Sequence, residues 1–221
     1  MLTLHYHPSD ASLMTHIMLE ELGTPFSLAL VDRSRNAQKS PEYLRLNPNG
    51  LIPVLVDGEL VLYETPAILM HLADTHPDAR MMPQLASAER AHCYKWLTWL
   101  SNTFQVNLVV CFYSERYVRT GSTSSAEEVR EAAQERVAGL LEQIATQLNQ
   151  SGGPWLLGKD YSIADCMAFV LCCWTRNFKR PANSFPEIAA YLQRMRQRPA
   201  VQRAIATEQL PETFFTRVAE L

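Results

Sequence analysis

The 221-residue chain lacks several features that would fix its class at once. No apolar run reaches the ~20 residues that a membrane-spanning helix needs. No basic segment followed by an apolar core opens it, so no secretory signal is read. Its five cysteines are an odd number and contain no Cys-x-x-Cys pair, which argues against a disulfide framework and a zinc site. Cys166, Cys172 and Cys173 lie in an apolar helical stretch, where Cys acts as a small hydrophobe. The formal net charge is −3, too small and of the wrong sign for general attraction to nucleic acid or an anionic membrane. No internal repeat or low-complexity tract is present. With 47% hydrophobic and 19% charged residues, the composition is that of a globular protein. The expectation is a reduced, cytoplasmic protein that binds no metal, no nucleic acid and no membrane.

What is present is organised around residues 47–68, which read NPNGLIPVLVDGELVLYETPAI. Asn47-Pro48-Asn49-Gly50 is dense in turn formers. Pro53 lacks an N–H and belongs at a strand start or edge. Val54 to Val56 and Leu60 to Leu62 are short apolar runs joined by Asp57-Gly58, a strong hairpin signal. Thr65 suits an N-cap, and Pro66 suits the first helical position. The residue before a proline is held extended, so the backbone of Ile52 can be left unpaired by the sheet. A few residues on, a helix amino end offers free N–H groups and positive partial charge. An extended peptide-like ligand with a terminal carboxylate could add to that edge and dock its acid end at Glu64-Thr65. A plain hairpin followed by an ordinary capped helix is the alternative.

Upstream, Leu2, Leu4 and Tyr6 alternate with polar residues as a strand, broken by Pro8 and Ser9. Leu13, Met14, Ile17, Met18 and Leu22 then give a helix face stopped by Gly23, and Phe26, Leu28 and Leu30 a second strand. A helix between two strands predicts a parallel pair. From residue 87 onward the period is helical, with helices expected over 87–117, 125–150, 163–177, 186–197 and 200–208. The division expected is 1–78 and 87–221, with 79–86 as linker. Ser162-Ile163-Ala164-Asp165 has the spacing of a capping box, with a role in folding.

The pattern Asn-Pro-x-Gly-x-Ile-Pro-x-Leu, a hairpin, then Glu-Thr-x-Ala-Ile resembles the glutathione-binding half of cytosolic glutathione transferases. Pro154-Trp155-Leu156-Leu157-Gly158 and the capping box resemble that family's helical half, so the likeness runs from about Leu2 to about Pro199. It implies a thioredoxin-like α/β domain followed by an all-α domain, with a homodimer as the assembly. It also implies a cis bond before Pro53, pairing of Ile52 with the cysteinyl backbone of glutathione, and a hold on the γ-glutamyl end by Glu64 and Thr65. Gln38 falls where several classes contact the glycyl carboxylate, and Lys39 could serve it as a point charge. Both could equally be solvated loop residues.

Tyr6-His7-Pro8-Ser9-Asp10-Ala11-Ser12-Leu13 resembles the bacterial Beta class pattern Tyr-x-Pro-x-Ala-Cys-Ser-Leu, with Ala11 at the class cysteine. The class histidine and asparagine of the first long helix align with Gln105 and Thr98. Ser12 is the candidate thiolate partner, and Tyr6 a wall of the site. A cysteine-type thiol has a pKa of about 8.5, and each unit of lowering needs roughly 1.4 kcal/mol. One charge-assisted hydrogen bond gives roughly 1.5–3 kcal/mol, so a hydroxyl plus a helix amino end suffices near neutral pH. His16 shares a helix face with Ser12, but no acid, oxyanion loop or Gly-x-Ser-x-Gly elbow supports a hydrolase, and a core role is expected. Phe112, Tyr113, Tyr117, Trp174 and Phe178 are aromatic residues that could line a pocket for an apolar electrophile. The implied function is glutathione transfer to such an electrophile. A binding or regulatory protein that keeps the fold without catalysis is the alternative.

Overall fold

The computed structural model describes residues 1–215. Two compact units divide the chain: residues 1–82 with 196–210, and residues 83–195 with the segment from Pro211.

In the first unit, β1 (Leu2–Tyr6), α1 (Ser12–Leu22), β2 (Phe26–Leu30), α2 (Pro41–Leu46), β3 (Val54–Asp57), β4 (Leu60–Tyr63) and α3 (Thr65–Thr75) follow one another. The sheet order is β2-β1-β3-β4, with β1 parallel to β2 and antiparallel to β3, and β3 antiparallel to β4. This is the thioredoxin-like arrangement expected, and α1 ends where predicted, at Gly23 in the left-handed region (φ 62°). Leu4, Val54 and Leu55 from the sheet and Leu13, Ile17, Ile68, Leu69 and Leu72 from α1 and α3 are fully buried.

Two boundaries move by one residue. Asp57 stays in the ladder opposite Leu60, so Gly58-Glu59 form the hairpin tip. Positive φ falls at Gly58 (60°) and not at Glu59, the pattern of a type II′ turn, whose twist matches the strands. Glu64, not Thr65, is the N-cap of α3, with Pro66 in its first turn.

The second unit holds α4 (Ala88–Trp99), α5 (Val106–Phe112), α6 (Thr123–Gln150), α7 (Ile163–Trp174) and most of α8 (Pro186–Arg196). The helix expected over 87–117 is interrupted by a π-helical turn, Leu100–Gln105, and ends in a 3₁₀ turn, Ser114–Tyr117. Ser101 Oγ donates to Thr98 O (3.1 Å) and Asn107 Nδ2 to Thr103 O (2.7 Å). Such side chains compete with the α-helical ladder for its carbonyls. Eleven consecutive residues of α7, from Ile163 to Cys173, are buried, which makes it the central helix of this unit.

α9 (Pro199–Thr207) returns to the first unit, which differs from the expectation that everything after 87 forms one domain. Its buried face is Ala200, Val201 and Ala204, and ion pairs flank it. Arg198 forks onto Glu21 of α1 (2.6 and 2.9 Å), and Arg203 holds both the carboxylate and the carbonyl of Glu20. Sequence periodicity carries no record of such partners. Among the described residues no helix is long and apolar enough to cross a membrane.

Candidate functional site

The sheet register brings three chain ends together. His5 pairs with Val54, and Val54 with Tyr63. One step further, Tyr6 ends β1, Pro53 precedes β3 and Glu64 follows β4, all at one end of the sheet. The Ile52–Pro53 peptide bond is cis. Ile52 lies outside both ladders, and its backbone has no hydrogen-bonded partner among the described residues. The carbonyl before it is fixed: Leu51 O accepts from Tyr43 Oη and Asn47 Nδ2, both at 2.8 Å. An extended edge is thus held in place with its own hydrogen-bonding groups open.

Glu64 caps α3 at φ 72°, a region L-residues enter at a cost of roughly 1–3 kcal/mol and which clusters at functional sites. Its carbonyl accepts Ile68 N–H (3.0 Å), while its exposed side chain makes no capping bond. Thr65 is buried in the first turn.

Gln38 and Lys39 belong to a 3₁₀ turn, Ala37–Lys39, that lies against the 47–50 turn. Lys39 Nζ donates to Asn49 O (3.0 Å). Gly50 has φ 60°, and a Cβ there would meet Gln38 O and Lys39 Nζ at 2.7 Å. Gln38 Oε1 is buried without a hydrogen-bond partner, a deficit worth roughly 1–3 kcal/mol that a ligand could relieve. Both residues therefore sit beside the Ile52 edge.

The β1–α1 turn places Ser12 at the first position of α1, as expected. Ser12 is wholly buried. Its Oγ donates to His7 O (3.0 Å) and accepts from His7 N–H (3.2 Å). A hydroxyl has one hydrogen, and here it is used inside the protein, so Ser12 braces strand to helix. Thr15, one turn on, is buried too. Among the hydroxyls of Ser9, Ser12 and Thr15, only Ser9 belongs to a part-exposed residue. Tyr6 is part-exposed, with its ring 6.3 Å from that of His16. At the tip of α1, the N–H groups of Ala11 and Ser12 have no partner among the described residues. Those groups and the helix dipole favour an anion there. Beside them Arg33 Nη1 reaches both oxygens of Asp10 (2.9 Å each). Burial pushes the Asp10 carboxyl above its ordinary range, and Arg33 opposes that shift.

Ser9 has φ 64°, which costs an L-residue roughly 1–2 kcal/mol. Its N–H donates to Glu208 Oε2 (3.0 Å), while Glu208 Oε1 accepts from His16 Nδ1 (2.8 Å). The Glu208 and His16 side chains are fully buried. A charge-assisted bond of roughly 1.5–3 kcal/mol is large enough to offset the Ser9 conformation. Sequence reasoning missed both Ser9 and Glu208. The two are 199 residues apart, and a Ser after Pro8 reads as an ordinary turn former.

All five cysteines are buried. Burial raises Cys93 to about 12 and Cys111 to about 11 and pushes Cys172 well above the ordinary thiol range, so these stay thiols and are poor nucleophiles. No group of His, Cys, Asp or Glu among the described residues could hold a metal ion. In the second unit, Phe112 packs against Trp174 (6.2 Å) and Phe178 (5.7 Å), while Tyr113 lies under the Arg116 guanidinium (3.9 Å) and Tyr117 is exposed.

Comparison with known proteins agrees with this geometry. Residues 8–75 match the glutathione S-transferase N-terminal domain family, and residues 112–208 the glutathione S-transferase C-terminal domain family. Glutathione S-transferase GST-4.5 of Xanthomonas campestris is 30% identical over 207 residues, covering 94% of this chain and 98% of that protein. A glutathione transferase homologue from Sulfitobacter, solved with bound glutathione, superposes with a TM-score of 0.86 at 28% identity, over 95% of this chain and 99% of that one. A Beta class glutathione S-transferase from Sphingomonas chungbukensis superposes at 0.81 with 30% identity, over 95% and 100%. With both halves matched and the coverage nearly end to end, this chain belongs to the bacterial glutathione S-transferase family.

Proposed function

We propose that this protein is a glutathione transferase that binds glutathione along the Ile52 edge and ionises its thiol at the tip of α1 for attack on an apolar electrophile. The observation that carries the reading is the Ile52 backbone, left outside both ladders and level with the amino ends of α1 and α3. Glutathione has the matching shape: an extended tripeptide with a carboxylate at each end and a thiol between them. The cysteinyl backbone pairs with Ile52, and the γ-glutamyl end meets Glu64 and Thr65. The glycyl carboxylate lies by Gln38 and Lys39, where turning the Gln38 amide over presents its N–H₂ as a donor. Tyr6 and Pro53 wall the site. The reading includes a cytoplasmic homodimer, as the family resemblance implies.

The thiolate partner in this proposal is the Ser9 hydroxyl, aided by the free N–H groups of Ala11 and Ser12. Ser12 keeps the brace that holds those N–H groups in place. Proximity of thiolate and electrophile supplies much of the rate. The burial of Ser12 favours one rival, a protein that binds glutathione without turnover.

Retention on immobilised glutathione, weakened by Glu64→Ala, and turnover of an activated aryl halide test both readings. Ser9→Ala is expected to lower kcat by about 10–100-fold, the worth of one charge-assisted hydrogen bond. Ser12→Ala is expected to lower thermal stability more than kcat. Retention without turnover establishes the rival, and a folded Ser12→Ala that alone loses turnover returns the thiolate to Ser12.

A further inference from the structure

We infer that Glu208 is a positioning residue for the thiolate site: its buried carboxylate holds Ser9 in the left-handed conformation that sets the β1–α1 turn. This rests on the reading of that turn as the thiolate site.

Three observations meet at this carboxylate. Ser9 takes φ 64° without being glycine, and such residues persist only where surrounding structure over-determines them. The Glu208 side chain is fully buried and spends one oxygen on Ser9 N–H and the other on His16 Nδ1. His16 is itself buried in α1, edge-on to Phe26 (5.7 Å) and Tyr6 (6.3 Å). The carboxylate therefore joins the turn before α1 to the body of α1 through two hydrogen bonds. A carboxylate is costly to bury unless each oxygen is satisfied. Helix packing alone does not call for one here, since Arg198 and Arg203 already tie α9 to α1. What Glu208 adds is the hold on Ser9.

A Glu208 that acted through its charge would oppose a nearby thiolate, and removing the charge would then favour ionisation. A Glu208 that only anchored α9 would be matched in effect by any loosening of that helix. A Glu208 that positions Ser9 behaves in neither way: Glu208→Ala frees the turn and misplaces both Ser9 and the helix tip.

The experiment follows the ultraviolet absorbance of the glutathione thiolate bound to the intact protein, as a function of pH. Glu208→Ala is expected to raise the pKa of the bound thiol by about one unit, which lowers the ionised fraction about tenfold at a pH well below that pKa, where the comparison is made. It should lower kcat by a similar factor, with the Kd for glutathione changing less than about threefold, because Ile52 and Glu64 are untouched. Glu208→Gln should restore most of this. Its carbonyl can accept from Ser9 N–H, and its amide can donate to the other tautomer of His16. Arg203→Ala, which loosens α9 elsewhere, should lower Tm and leave the thiol pKa in place. Should Glu208→Ala fail to fold, Glu208→Asp replaces it, one methylene too short to reach both partners and expected to behave alike. The inference is overturned if Glu208→Ala or its Asp replacement titrates like wild type. It is equally overturned if Gln and Ala both shift the thiol toward thiolate, or if Arg203→Ala shifts it as far as Glu208→Ala. Wild-type protein that binds glutathione with no thiolate signal would instead bring down the transferase reading itself.

Discussion

Two buried carboxylates, one in each unit, serve backbone N–H groups near the amino end of a helix, and they do so in opposite ways. In the second unit Asp165 is fully buried. It accepts from Leu156 N–H and Ser162 N–H, both at 2.9 Å, and closes a capping box with Ser162. In the first unit Glu208 accepts from Ser9 N–H and His16 Nδ1. Asp165 reaches three and nine residues along the chain, whereas Glu208 reaches 199 and 192. Ser162 is extended (φ −147°), an ordinary conformation, while Ser9 is left-handed. The local carboxylate stabilises what its neighbours would adopt anyway, and so contributes to folding. The distant one holds its partner in a conformation that Ser does not favour by itself, at the turn proposed above as the thiolate site.

The sharpest way to break this contrast is Asp165→Ala. It strands two buried N–H groups, each worth roughly 1–3 kcal/mol, so a loss of about 4 kcal/mol is expected. Thermal unfolding should show a large fall in Tm, and the protein that remains folded should bind glutathione as wild type does. A loss below about 1 kcal/mol, or a selective loss of glutathione binding, would erase the distinction between the two carboxylates.

The next effect is a pH dependence with a definite sign. Burial raises Asp165 from its ordinary 3.8 to about 6, outweighing the hydrogen bonds that favour its ionised form. As pH climbs through this window the unfolded chain ionises first, and the folded state lags. Asp165 thus contributes most below its unfolded pKa, and its contribution is lost as pH passes its folded pKa. Measured against Asp165→Asn, which does not titrate, wild-type stability should fall by about 3 kcal/mol between about pH 4 and about pH 7. A difference that grows with pH would mean that the N–H groups dominate over burial.

The same contrast explains what the sequence disclosed. The strands at 2–6 and 26–30, the helix stopped by Gly23, the Pro53 edge and the Ser162–Asp165 box all rest on neighbours a few residues apart, and each was legible. The register that sets His5 opposite Val54 and Val54 opposite Tyr63 came only with the structure. The π-helical turn at Leu100–Gln105 depends on side chains bonding to carbonyls, which helical period conceals. Ser12 looked available because its spacing suits a helix start. Its commitment to His7 depends on how β1 leads into α1. Ser9 needed Glu208, and Glu208 needed α9 to return to the first unit through Arg198 and Arg203, partners that no local pattern encodes.

The smallest effects separate local from imposed conformation within the first unit, at two glycines of nearly equal φ. Gly23 (φ 62°) ends α1 with open space where a Cβ would go, while Gly50 (φ 60°) has Gln38 O and Lys39 Nζ 2.7 Å from that position. The lysine end can swing away, but the Gln38 carbonyl belongs to the backbone and cannot move alone. Gly50→Ala is therefore expected to cost about 2–3 kcal/mol, backbone strain plus overpacking, and Gly23→Ala only the strain, about 1 kcal/mol. Glutathione affinity should divide the two more cleanly than stability. Displacing Gln38 and Lys39 disturbs the groups two residues from the Ile52 edge, so Gly50→Ala should weaken binding, while Gly23→Ala, at the far end of α1, should leave it unchanged. Equal affinities in the two variants would detach the 38–50 contact from the ligand and leave Gln38 and Lys39 as loop residues.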